Sequence, residues 1–163
     1  MSTKLVSMEQ TGAGQWLNER EMRAWIGYRR MHLLLDLRLA RDLMAQSGLS
    51  GPDYDVLSNL SEADGRRMRL SELAAHMRWS KSRLSHQISR MQERGLVTRE
   101  ECADDGRGCI LTLTPKGLAA IHDAAPGHVA SVREHMFDQM SDAEIDALAA
   151  FTHRIAEKLA DTP

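Results

Sequence analysis

Seven polar side chains share one side of the segment from Lys81 to Arg94: Lys81, Ser82, Arg83, Ser85, His86, Ser89 and Arg90, with no acid before Glu93. A merely solvated helix gains from mixing charge signs at i,i+4 spacing, and this one does not. Lys and Arg donate to guanine edges and to phosphate oxygens, and Ser bonds several bases. The chemistry on offer is therefore readout of duplex DNA. Leu84, Ile88 and Met91 recur at +4 and +3 in the same segment and supply an apolar stripe for a core. Nothing comparable supports catalysis. There is no Gly-x-Ser-x-Gly, no Gly-x-x-x-x-Gly-Lys and no inward-spaced carboxylate pair. No catalytic residue and no cofactor is expected, and the chain does not read as an enzyme.

The seven His, at 32, 76, 86, 122, 128, 135 and 153, include no i,i+4 pair and none close to a Cys. A metal site needs three or four converging ligands, so they read as surface residues and no metal is expected. Cys102 and Cys109 have six residues between them, around a turn cluster. A hairpin there would bring them opposite each other, and a disulfide between them would be an oxidation-sensitive switch.

Charge sharpens the DNA reading. The chain carries a net −2, which alone argues against a nucleic-acid partner. Between Arg66 and Arg99, however, nine Lys/Arg face two acids, a local +7 that leaves −9 for the rest. A basic centre between acidic flanks is an electrostatic footprint for a polyanion. The 163 residues suit one domain with some excess. No apolar run reaches membrane-spanning length, and the first ten residues lack the charged start and apolar stretch of a signal peptide. Two Cys make no disulfide scaffold, so a reducing cytoplasmic setting is expected. Aromatics at 4% exclude an aromatic-cage or sugar-binding surface.

Those side chains need a frame. Residues 1–17 read as a loose arm. Asn18 with Glu21 has capping-box spacing and opens a long helix to about Gln46, closed by Gly48. Ser50, Pro52 and Asp53 start a second helix that stops near Gly65. Ser71 is expected to cap a short helix from Glu72 to Met77, and Ser80 the helix that Gly95 ends. Two β-type runs around the turn from Asp104 to Gly108 make a hairpin over 97–113. Thr114-Pro115 opens another helix, which Pro126-Gly127 should kink or break. Ser141 with Glu144 is a further capping box before a last helix striped by Ile145, Leu148, Thr152, Ile155 and Leu159. Short helix, turn, helix and hairpin is the layout of a winged helix-turn-helix. The fold class is thus mostly α with a small β wing. The chain divides into the arm, a helix over 18–48, a lobe over 49–113 and helices over 114–160. The end helices carry stripes that a thin chain cannot cover alone, and a two-fold homodimer would cover them.

At this point the chain resembles the multiple-antibiotic-resistance regulator (MarR) family. The matching stretches are Leu70-Ser-Glu-Leu-Ala74, Ser80-Lys-Ser-Arg-Leu-Ser85, Arg94-Gly-Leu-Val97, Asp105-Gly-Arg107 and Leu113-Thr-Pro-Lys-Gly117. The resemblance covers about residues 18–160. It implies a homodimer joined by its terminal helices, with two recognition helices in the major groove of a pseudo-palindromic operator and wings in the minor groove. It puts Ser82, Ser85, His86 and Arg90 at groove-facing positions and Arg107 at the wing tip, supported by Asp105. Gly106 departs from the pattern, because the family often has a second Arg there. Ser71, Arg78, Lys81, Arg83 and Arg94 are expected to anchor phosphates. The family's small aromatic effectors suggest a site using Trp25, Arg29, His32 and Tyr54, an aromatic wall with a cation for a planar anion. The function expected is a DNA-binding regulator, most simply a repressor released by such an effector. The alternatives are an oxidant-responsive regulator switching through Cys102 and Cys109, or a module of this fold that binds ligand without DNA.

Overall fold

The computed structural model describes residues 16–101 and 109–160. Cys102, Asp105, Gly106 and Arg107, and so the wing-tip and disulfide expectations, lie outside the described residues, as does the arm before Trp16. By internal contacts the chain divides within its first helix, into a unit ending at Leu34 and a unit beginning at Leu35. In the first unit none of the described residues is buried.

Helix α1 runs Glu19–Ser47. It begins where the sequence places its cap: Asn18 Oδ1 accepts from the Glu21 amide at 2.9 Å, and Glu21 Oε2 accepts from the Asn18 amide at 2.8 Å. It ends at Gly48, whose φ of +68 lies in the left-handed region that favours glycine. Helix α2, Gly51–Glu62, opens on a second reciprocal cap between Ser50 and Asp53 with Pro52 in the first turn. Strand β1 is Arg67–Arg69, and helix α3 is Leu70–His76. Ser71 therefore sits inside the first turn of α3 rather than capping it. The Glu72 carboxylate accepts from the Arg69 amide at 3.3 Å and closes that end instead.

Helix α4 is Lys81–Glu93, capped by Ser80, whose hydroxyl accepts from the Arg83 amide at 3.2 Å. Strands β2, Val97–Glu101, and β3, Cys109–Leu113, form the hairpin. The sheet has the order β1-β3-β2, antiparallel throughout. Helix α5 is Pro115–His135 and runs through Pro126 without ending, so of the expected kink or break the break does not occur. Proline removes one helical N–H and costs roughly 3 kcal/mol. Ile121, Ala124 and Ser131 are buried on both sides of it, which offsets that cost. A 3-10 turn, Phe137–Gln139, separates α5 from α6, Asp142–Ala160. The Ser141–Glu144 cap stands, with Glu144 Oε2 accepting from the Ser141 amide and hydroxyl at 2.8 and 2.7 Å.

The core is assembled from α2 (Val56, Leu57, Leu60), α3 (Leu73, Ala74), α4 (Leu84, Ile88, Met91), the hairpin (Leu96, Val97, Leu111, Leu113) and α5 (Ile121, Ala124). Each fully buried Leu or Ile stabilises by about 1.5–3 kcal/mol. The apolar stripe read on α4 is thus covered by the residues that flank it in sequence. Gly117 lets α5 start against the hairpin, because a Cβ there would run into the Leu96 carbonyl oxygen. The far end of α5 is fastened to α1 by His135 Nε2, which donates to Asp42 Oδ2 at 2.7 Å. That hydrogen bond, helped by Arg38, outweighs burial and holds the Asp42 carboxyl below its usual range.

Candidate nucleic-acid interface

Helix α4 is the platform. Its inner side buries Leu84, Gln87, Ile88 and Met91. Lys81, Ser82, Arg83, His86, Ser89 and Arg90 are exposed on it. An amphipathic helix locked by four buried side chains cannot rotate, so its basic side is presented in one fixed register. No acidic side chain occupies its first turn.

Several of the expected site residues have partners that the sequence did not announce. Ser85 is half-buried, and its hydroxyl accepts from Arg99 Nη1 at 3.2 Å, which ties the recognition helix to strand β2. Ser82 Oγ lies 3.2 Å from the capping Ser80 Oγ. Arg94, expected to anchor phosphate, is exposed, but its fork is engaged by the fold. Its Nη1 donates to Asp53 Oδ2 at 2.7 Å and its Nη2 to the Gly48 carbonyl at 3.1 Å. Both ends of its fork are used by the fold, so the structure gives Arg94 an architectural role.

Asp53 is the centre of that arrangement and is 1% exposed. It accepts from the Ser50 amide and hydroxyl at 2.9 and 2.7 Å, from Gln87 Nε2 at 2.7 Å and from Arg94. Burial pushes its pKa up, but the Ser50 and Arg94 hydrogen bonds and the Arg94 charge outweigh burial and hold it below the usual carboxylate range. The network joins the α1–α2 junction to the middle and end of the recognition helix. Gln87 was missed from sequence because its partner lies 34 residues away.

Arg78 adopts φ +54, a left-handed conformation uncommon for a residue with a side chain. It makes the tight turn between α3 and α4, where the Trp79 amide donates to the Ala74 carbonyl at 2.9 Å. Trp79 packs against the core, and the Arg83 guanidinium lies over its ring at 3.9 Å from the centroid. Ser71, Arg78 and Lys81 are exposed at the edges of the same helix-turn-helix.

The expected effector residues divide between the two units. On α1, Trp25, Tyr28 and His32 form a ladder of rings, with centroids 5.9 and 6.0 Å apart and planes 22° and 1° from parallel. Arg29 is exposed beside them in sequence. Tyr54 instead meets the His128 ring in a tilted contact, with centroids 4.4 Å apart and planes at 43°, and burial raises its pKa, with Asp55 and Glu62 adding to the shift. Cys109 is buried at the start of β3. Among the described residues no three His, Cys, Asp or Glu side chains converge as metal ligands, and no helix is long and apolar enough to cross a membrane.

A helix-turn-helix followed by an antiparallel hairpin, with β1 completing the sheet, is a winged helix-turn-helix. Residues 47–108 match the model of the MarR family. The structure is similar to that of AbsC, a MarR family transcriptional regulator from Streptomyces coelicolor. The two share 43% identity over 90% of this chain and 99% of that one, with a TM-score of 0.83. It is also similar to Sco3205 from the same organism, a MarR family transcriptional regulator solved in complex with DNA. That likeness has 35% identity over 90% of this chain and 92% of that one, with a TM-score of 0.84. Among the curated proteins none matches the chain. The chain belongs to the MarR family. It is a transcriptional regulator and not an enzyme.

Proposed function

We propose that this protein is a cytoplasmic homodimer that binds a pseudo-palindromic duplex and represses transcription. The observation that carries the reading is the fixed, acid-poor outer side of α4 above its buried inner side. The relative solved with DNA supports duplex DNA as the partner. Ser82, Ser85, His86 and Arg90 read bases, while Ser71, Arg78, Lys81 and Arg83 hold phosphates. Arg107, supported by Asp105, reaches the minor groove from the wing. The dimer rests on the apolar side chains that α1 and α6 leave in solvent, among them Leu33, Leu37, Phe151, Ile155 and Leu159. Such patches mark association surfaces.

A mobility-shift titration on DNA upstream of the protein's own gene tests the reading. Arg90→Ala is expected to cost about 1–3 kcal/mol and to relax sequence preference at one position. Unchanged affinity and preference would remove Arg90 from the readout. No binding at any salt would favour the module that keeps the fold without DNA.

A second observation favours an effector. The Trp25–Tyr28–His32 ladder, with Arg29 nearby in sequence, offers stacking surface and a cation to a small aromatic acid. Such a ligand would release DNA only through its differential affinity for the bound and free conformations. Titrating salicylate-like acids while following Trp fluorescence and DNA release tests it. If neither signal moves, the switch passes to the Cys102 and Cys109 reading.

A further inference from the structure

We infer that Trp79 is a positioning residue for DNA binding, holding the Arg83 guanidinium ready for two oxygens of one backbone phosphate. This rests on the DNA-binding reading above and adds a residue that reading does not contain.

Both partners are pinned at their backbones. The Trp79 amide is tied to the Ala74 carbonyl, its ring packs on the core, and the left-handed Arg78 before it sets the direction of the turn. The Arg83 amide is tied to the capping hydroxyl of Ser80. The guanidinium then lies 3.9 Å from the centre of the indole. Stacking uses the face of a guanidinium and leaves the N–H donors in its plane pointing outward. Among the described residues that guanidinium makes no hydrogen bond and no ion pair. Asp55 senses its charge only at longer range. Arg94 and Arg99 differ, because their guanidinium donors are engaged by Asp53, Gly48 and Ser85. Arg83 is therefore ordered by an aromatic surface instead of by an acid. No acid pairs with it at ion-pair distance among the described residues, and part of the entropy of ordering a long side chain is already lost before DNA arrives. A planar fork of this kind matches a phosphate in bidentate fashion, which an ammonium cannot do.

The test is fluorescence anisotropy with a duplex from upstream of the protein's own gene and a scrambled duplex, over a salt series. Arg83→Ala is expected to weaken both duplexes alike and to reduce the salt slope by about two, one for each protomer of the proposed dimer. Trp79→Leu keeps the charge and should keep the slope, while weakening both duplexes about threefold to tenfold. Arg83→Lys should behave the same way, and Trp79→Phe should stay near wild type. The double variant Trp79→Leu/Arg83→Ala should bind no more weakly than Arg83→Ala alone. Additive losses, or wild-type affinity in Arg83→Lys, overturn the inference. The Arg83→Lys arm leaves Trp79 in place and decides the matter even if Trp79→Leu unfolds. A wild-type protein that binds neither duplex sinks the DNA reading itself, whereas wild-type binding that Arg83→Ala leaves intact sinks the Trp79 role alone.

Discussion

The winged lobe and helix α6 are built on opposite terms. In the lobe every element contributes to one core, and Leu57, Leu60, Leu73, Leu84, Ile88, Met91 and Leu111 are wholly buried. Helix α6 buries nothing, yet it is striped with Leu148, Phe151, Ile155 and Leu159. The first half of α1 is similar, with Trp25, Ile26, Tyr28, Met31, Leu33 and Leu34 exposed. The lobe satisfies its apolar residues within the chain, and the terminal helices do not. Apolar side chains left in water forfeit the burial energy that the lobe collects, which supports the proposal that a second copy covers them.

The largest effect should come from breaking the terminal side of that contrast. Leu148→Glu together with Ile155→Glu is expected to abolish the dimer and, with it, the folded state, because an obligate homodimer has no stable monomer. Light scattering and circular dichroism check this, and a well-folded monomer would remove the basis for the dimer. In the lobe, Ile88→Ala should cost about 2–5 kcal/mol through the cavity it leaves. Denaturant unfolding measures it, and DNA binding by the surviving folded fraction should weaken as α4 loosens.

A smaller effect separates packing from polar fastening. Asp53→Asn should cost roughly 1.5–3 kcal/mol, since Arg94 and Gln87 lose a charged acceptor. It should also change the acid limb. The folded pKa of Asp53 lies below its ordinary value of 3.8. Its contribution is complete above that value and is lost as pH falls through the folded one. The variant should therefore show a flatter decline in unfolding free energy below about pH 4, and an unaltered decline would assign acid sensitivity elsewhere. Smallest of the four, Thr114→Ala removes the hydroxyl that caps α5 at 2.9 Å from the Gly117 amide. It should cost about 1 kcal/mol in thermal unfolding.

Much of this was legible before the fold was seen. The caps at Asn18, Ser50, Ser80, Thr114 and Ser141 are local, three-residue patterns, and each stands where the sequence puts it. The two sides of α4 were legible because helical periodicity needs no partner. Strand β1 was not, because Arg67-Met68-Arg69 is too short to read alone and becomes a strand by pairing with β3. The break expected at Pro126 does not occur for the same reason: a local cost was visible, while the packing that outweighs it came from other elements.

The amino-acid sequence alone determined the order of helices, the hairpin, the concentration of positive charge at 66–99 and the two-sided character of α4. All of these depend on neighbours within a few residues, where backbone geometry dictates which side chains meet. Only the tertiary structure decided which basic side chains the fold itself engages. Arg94 and Arg83 are indistinguishable as letters, both on or beside α4, and equally charged. One pairs with Asp53, 41 residues away in the chain, and the other lies over the Trp79 ring. Long-range pairing settles that choice, because the free energy of a charged side chain depends on the group that compensates it in space, and no local spacing specifies that group.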